Sequence, residues 1–89
     1  MNVTELLAEA QLGIEAEAFL ESPLGRHIAD RIEREIGEAQ TALETVSPLD
    51  SEAVRALQNK AKVARLVKDW LLEAIVNGRY AHDELDANR

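Results

Sequence analysis

The chain has 89 residues, no cysteine, and 17 acidic against 10 basic side chains, for a formal net charge of −7. One small domain with a modest core fits that length, and the missing thiols exclude a disulfide framework and any thiolate metal site. No apolar run approaches the roughly 18 residues of a membrane span, and Met1-Asn2-Val3-Thr4-Glu5 lacks the basic region and apolar stretch of a signal peptide, so a cytoplasmic protein with no membrane partner is expected.

Two Ser-Pro-Leu triplets, Ser22-Pro23-Leu24 and Ser47-Pro48-Leu49, divide the chain into three helix-length pieces. Serine before proline is a helix-start signal. The hydroxyl can cap the first free amides, and proline at the first helical position loses no hydrogen bond. The aromatic residues are Phe19, Trp70 and Tyr80 alone, so Leu, Ile, Val and Ala must form the core.

The first segment spans about 4–20, with Asn2 and Glu5 spaced as a capping box. Val3, Leu7, Ala10 and Ile14 follow helical spacing and mark the expected packing stripe, with Leu6 and Phe19/Leu20 on adjoining rows. Gly13 costs about 1 kcal/mol of helix propensity relative to alanine. The like-charged pairs Glu5/Glu9 and Glu17/Glu21 further weaken the isolated helix, so this segment needs outside support.

The second segment spans about 23–46. Ile28, Ile32, Ile36, Ala39, Leu43 and Val46 form a narrow seam of coiled-coil type, opposite a charged side. Gly37 borders that seam, either as a close-approach point or as a weak point. The third segment spans about 50–77, with Asn77-Gly78 as the expected stop and a loosely held polar tail over 79–89. Its first half is narrowly amphipathic through Val54, Leu57, Ala61 and Ala64. Its second half is far more apolar, through Val63, Leu66, Val67, Trp70, Leu71, Leu72, Ala74, Ile75 and Val76. If the short link over 45–50 joins them as a hairpin, the last two segments run antiparallel. Phe19 and Leu20 then reach Trp70, Leu71 and Ile75. The fold expected is all-α: a long antiparallel helical hairpin with a shorter N-terminal helix packed on it, a three-helix bundle.

Chemistry is not legible at any position. His27 and His82 lack a ligand at the spacing of a metal site. Ser22, Ser47 and Ser51 sit at helix starts or in a link, and the glycines are isolated, so no phosphate loop exists. No catalytic, cofactor or metal residue is assigned, and no small-molecule substrate is expected. The charged faces are more informative. Residues 1–25 hold Glu5, Glu9, Glu15, Glu17 and Glu21 and no cation. Residues 51–69 hold Arg55, Lys60, Lys62, Arg65 and Lys68 against Glu52 and Asp69. These faces can answer each other within the bundle, or one can serve another molecule. The Arg55, Gln58, Lys62, Arg65 row is a weak nucleic-acid signal. The chain is acidic overall, no aromatic residue interleaves for base stacking, and Asp69 continues the row. Phe19, Leu20, Leu66, Trp70, Leu71, Leu72, Ile75 and Val76 form the expected partner surface. It is wider than one neighbouring helix can cover. The first segment can cover part of it, and a second subunit can cover Leu72 and Val76.

The stretch Phe19-Leu20-Glu21-Ser22-Pro23-Leu24-Gly25-Arg26, with Asp30-Arg31, Ala42-Leu43 and Leu57-Gln58, resembles small acidic all-helical proteins of tailed phages. The resemblance implies a phage-encoded protein of the host cytoplasm or the virion and assigns no functional residue. The function expected is a non-enzymatic protein-interaction module, a structural or assembly accessory or regulator that contacts a protein partner and forms a homo-oligomer. The alternative is an acidic inhibitor that mimics nucleic acid through Glu5, Glu9, Glu15, Glu17, Glu21, Asp30, Glu33, Glu35, Glu38 and Glu44 and blocks a host nucleic-acid-binding enzyme.

Overall fold

The computed structural model describes residues 1–87. Those residues form three helices packed against one another, α1 (Val3–Glu21), α2 (Pro23–Thr45) and α3 (Ser51–Ala87), with no strand among them. The all-α class and the bounds of the first two helices follow the sequence reading to within a residue. The third helix does not stop at Asn77-Gly78. Gly78 is helical, and α3 continues through the segment expected to be a tail. Asn88 and Arg89, the end of that expected tail, lie outside the described residues.

Local chemistry explains the helix starts. The Glu5 amide donates to Asn2 Oδ1 at 2.8 Å, and the Asn2 side-chain amide donates to Glu5 Oε1 at 3.3 Å. This is the reciprocal logic of a capping box, with the asparagine side chain rather than its backbone as the returning donor. Ser22 works in both directions. Its amide closes α1 on the Ala18 and Phe19 carbonyls, its hydroxyl donates to the Phe19 carbonyl, and that same oxygen accepts from the Gly25 amide at 3.0 Å to open α2. The second Ser-Pro-Leu triplet behaves otherwise. Ser47 anchors a turn, accepting from the Leu49 amide on Oγ and from the Asp50 amide on its carbonyl. Asp50 then caps α3, taking the Ala53 amide on Oδ1 at 3.1 Å. An ionised carboxylate opposite the positive end of the helix displaces serine from that role.

The chain divides into two compact units, Met1–Arg26 with Asp69–Arg89, and His27–Lys68. In the first unit, Leu6 and Ala10 of α1 pack with Ala81 of α3, with Leu85 against them, and Ala16 and Ile75 are also buried. The helices meet at two glycines. A Cβ on Gly13 would lie 2.8 Å from the Gly78 Cα and 3.0 Å from the Ala74 carbonyl oxygen. One on Gly78 would lie 2.7 Å from the Gly13 Cα. Neither side has room for a methyl group. Gly78 is therefore a crossing point and not a stop, and the helix-propensity cost of Gly13 is what permits the contact.

This crossing decides which side of α1 faces inward. The buried row is Leu6, Ala10, Gly13 and Ala16. Of the stripe expected to pack, only Ala10 is inside, and Val3, Leu7 and Ile14 are exposed. In the second unit, Ile32, Ile36 and Ala39 of α2 and Ala61 of α3 are buried, with Ile28, Leu43, Val46, Val54, Leu57 and Ala64 half-buried around them. That seam is the expected one. Gly37 has no atom within 4 Å of where a Cβ would sit, so it is not a close-approach point.

Candidate functional site

The side chains expected to form a partner surface fall into separate groups. Ile75 is buried, and Phe19, Leu20 and Leu71 are half-buried. Trp70 remains 61% exposed, so the expected cover from the first helix leaves most of the indole in solvent. Leu72 and Val76 are 44% and 49% exposed. At about 100° per residue, Leu72 and Val76 share a face, whereas Trp70 projects about 160° away from Leu72. The surface is therefore two faces of α3 rather than one patch. Leu66, also exposed, belongs to the second unit.

Two features of the exposed apolar surface differ from the sequence reading. Because α3 continues through Gly78, Tyr80 extends the Leu72–Val76 row by one more step of four. The spacing was visible in the sequence, but a helix stop at Gly78 hides it. The second is Val3, Leu7 and Ile14 on one flank of α1, each more than half exposed, with Leu7 and Ile14 bordering the grooves between α1 and α3. They fall within about 40° of one another around the helix. α1 is therefore apolar on its buried row and again on the flank beside it, a wider apolar arc than α3 alone covers.

Ion pairs answer some charges and leave others. In the first unit, Arg79 holds Glu17 through Nε at 3.0 Å and Nη2 at 2.9 Å, and His82 Nδ1 lies 3.4 Å from Asp86. In the second unit, Lys60 meets Glu35 at 3.1 Å, Arg31 meets the same carboxylate at 2.7 Å, and Lys68 meets Glu33 at 2.7 Å. The hydrogen bond from Lys60, followed by that from Arg31, holds the Glu35 carboxyl below the usual carboxylate range. Glu5 is engaged at the cap. Among the described residues, Glu9, Glu15 and Glu21 of α1 and Arg55, Lys62 and Arg65 of α3 have no ion-pair partner. The acidic and basic stretches are thus matched in composition but only partly answered within one chain.

Shallow open grooves lie on both units. In the second, a groove of about 490 Å³ between α2 and α3 is lined by Ile32, Ala56, Val63 and Ala64, with Arg31, Glu35, Asn59 and Lys60. In the first, one of about 300 Å³ is lined by Ala10, Gly13, Ile14, Ile75 and Gly78, with the Glu17–Arg79 pair and His82. Among the described residues, no group of three His, Asp or Glu side chains is placed to hold a metal ion, and no helix is long and apolar enough to cross a membrane. What the surfaces offer is helix-sized apolar strips bordered by charge. No protein-family model, curated protein or solved structure matches the chain.

Proposed function

We propose that this protein is a non-enzymatic interaction module that works by presenting apolar helix faces to other helices, including those of its own kind. The observation that carries the reading is the exposure of Val3, Leu7 and Ile14 on α1 and of Trp70, Leu72, Val76 and Tyr80 on α3. Single exposed apolar residues are ordinary, but aligned rows of them on well-formed helices mark contact surfaces. The scaffold fits such a role. The Glu35–Lys60 and Glu33–Lys68 pairs support a long antiparallel hairpin of α2 and α3, since descending positions on one helix meet ascending positions on the other. α1 lies on the C-terminal part of α3. An assembly accessory or regulator, the role implied by the resemblance to tailed-phage proteins, needs this kind of surface and no catalytic centre.

Salt dependence tests the reading. Light scattering on the purified chain is expected to show species heavier than a monomer. Their dissociation constant should rise less than about tenfold between low and high salt, because apolar burial is insensitive to screening and the bordering charges are a secondary contribution. A mass that collapses to the monomer on adding salt would instead point to the acidic faces as the working surface.

A further inference from the structure

We infer that the outward face of α3 in the first unit of one copy of the chain docks on the outward face of α3 in the second unit of another copy. This rests on the interaction reading above and names the partner and both surfaces. Each surface lies wholly within one unit.

The first surface spans residues 69–83. At about 100° per residue, Asp69, Leu72, Glu73, Val76, Tyr80 and Asp83 fall within about 100° of one another, and Val76 projects about 160° away from Gly78 at the α1 crossing. All six side chains are exposed, the tyrosine by 71%. Among the described residues, none of the three acids has an ion-pair partner. Arg79, just outside this arc, is held by Glu17. The face therefore interleaves apolar and acidic side chains without a cation.

The second surface spans residues 55–66, a stretch with no acid. Arg55, Lys62, Arg65 and Leu66 also fall within about 100° of one another, and Lys62 projects about 160° away from Ala64 in the α2/α3 groove. All four are exposed, and the three cations have no ion-pair partner among the described residues.

Charge selects the pairing. Two copies of the first face would set acid against acid, and two copies of the second would set cation against cation. Only the unlike faces join opposite signs. Size and apolar character agree with this. The two surfaces are about 21 Å and 17 Å long at 1.5 Å per residue. Leu66 and the hydrocarbon stems of Arg55, Lys62 and Arg65 are suited to lie over Leu72, Val76 and Tyr80, with the charged heads reaching the acids between them. Burial of the apolar row supplies most of the affinity, and charge chooses the partner face.

Charge exchange tests the inference. One full-length chain carries Arg55→Glu, Lys62→Glu and Arg65→Glu, a second carries Asp69→Lys, Glu73→Lys and Asp83→Lys, and a third carries all six changes. All six positions are exposed, so each chain should keep its helical circular dichroism. In sedimentation equilibrium the first two chains, each with one sign of charge on both faces, should self-associate at least about tenfold more weakly than the wild type. The third chain restores opposite signs and should recover most of that loss, as should a mixture of the first two. If a reversed chain loses helicity, a Lys62→Gln/Arg65→Gln change and a Glu73→Gln/Asp83→Asn change make the same comparison, and combined they should cost less than the two costs added. A six-fold variant, or a combined neutral variant, that is as weak as its two parents added would overturn the pairing of unlike faces while leaving self-association in place. A wild-type oligomer indifferent to every charge change but dissolved by Leu7→Glu/Ile14→Glu would overturn it too, and would move the contact to the flank of α1. A wild-type chain that stays monomeric would overturn both this inference and the self-association reading on which it rests.

Discussion

The two units join their helices by different means. In the first, α1 and α3 approach until the Gly13 and Gly78 backbones touch, and the buried row is Leu6, Ala10, Gly13 and Ala16. In the second, α2 and α3 are held apart by Ile32 and Ile36 and tied by Glu35–Lys60 and Glu33–Lys68. A backbone contact of the first kind has no tolerance for added volume. A seam of branched side chains is most sensitive to lost volume. Packing through Ala10, Gly13 and Ala16 beside Leu6 leaves Val3, Leu7 and Ile14 more than half exposed.

The largest effect is expected at Gly25, where a Cβ would lie inside van der Waals distance of the Phe19 carbonyl at the junction stitched by Ser22. Gly25→Ala should cost about 3 kcal/mol or more in urea unfolding, since backbone rather than a flexible side chain must move. Next comes Ile36→Ala in the second unit, expected to cost about 2–4 kcal/mol through the cavity it leaves. Gly78→Ala should destabilise by about 1–2 kcal/mol, the overpacking cost exceeding the gain in helix propensity. Gly37→Ala, with open space around it, should instead stabilise by about 0.5–1 kcal/mol. If Gly78→Ala stabilised the chain as Gly37→Ala does, the close crossing would be refuted.

The smallest effect concerns pH. Lys60 and Arg31 lower the Glu35 carboxyl below its ordinary value of 4.5. A carboxyl whose folded-state value is depressed adds stability that is complete above the unfolded value and disappears as pH falls through the folded one. The stability difference between wild type and Glu35→Gln should therefore be constant from neutral pH down to about that ordinary value and shrink below it. A difference that stays flat into strong acid would remove the Lys60–Glu35–Arg31 cluster from the account of the second unit.

Much of this fold was legible because its causes are local. Asn2 with Glu5, and Ser22 before Pro23, are signals a helix start carries within four residues. The Ile32, Ile36, Ala39 seam has one apolar side and so one possible inward face. The misreadings share a different cause, since each depended on a residue distant in the chain. Asn77-Gly78 has the composition of a helix end, and only Gly13 opposite explains why the glycine is helical. Val3, Leu7 and Ile14 have better periodicity than Leu6, Ala10 and Gly13, but α1 is apolar over a wide arc and periodicity cannot choose the inward part of it. The close crossing chose. Ser47 carries the same Ser-Pro signal as Ser22, yet Asp50 stands where the capping oxygen is needed.

The account stands most directly on the mass of the wild-type chain in solution. Sedimentation equilibrium on the purified protein, followed from low to high micromolar concentration, should show the weight-average mass rising from 9.9 kDa to at least twice that value as mass action fills the exposed faces. A mass that stays at that of a single chain across the whole range would contradict it.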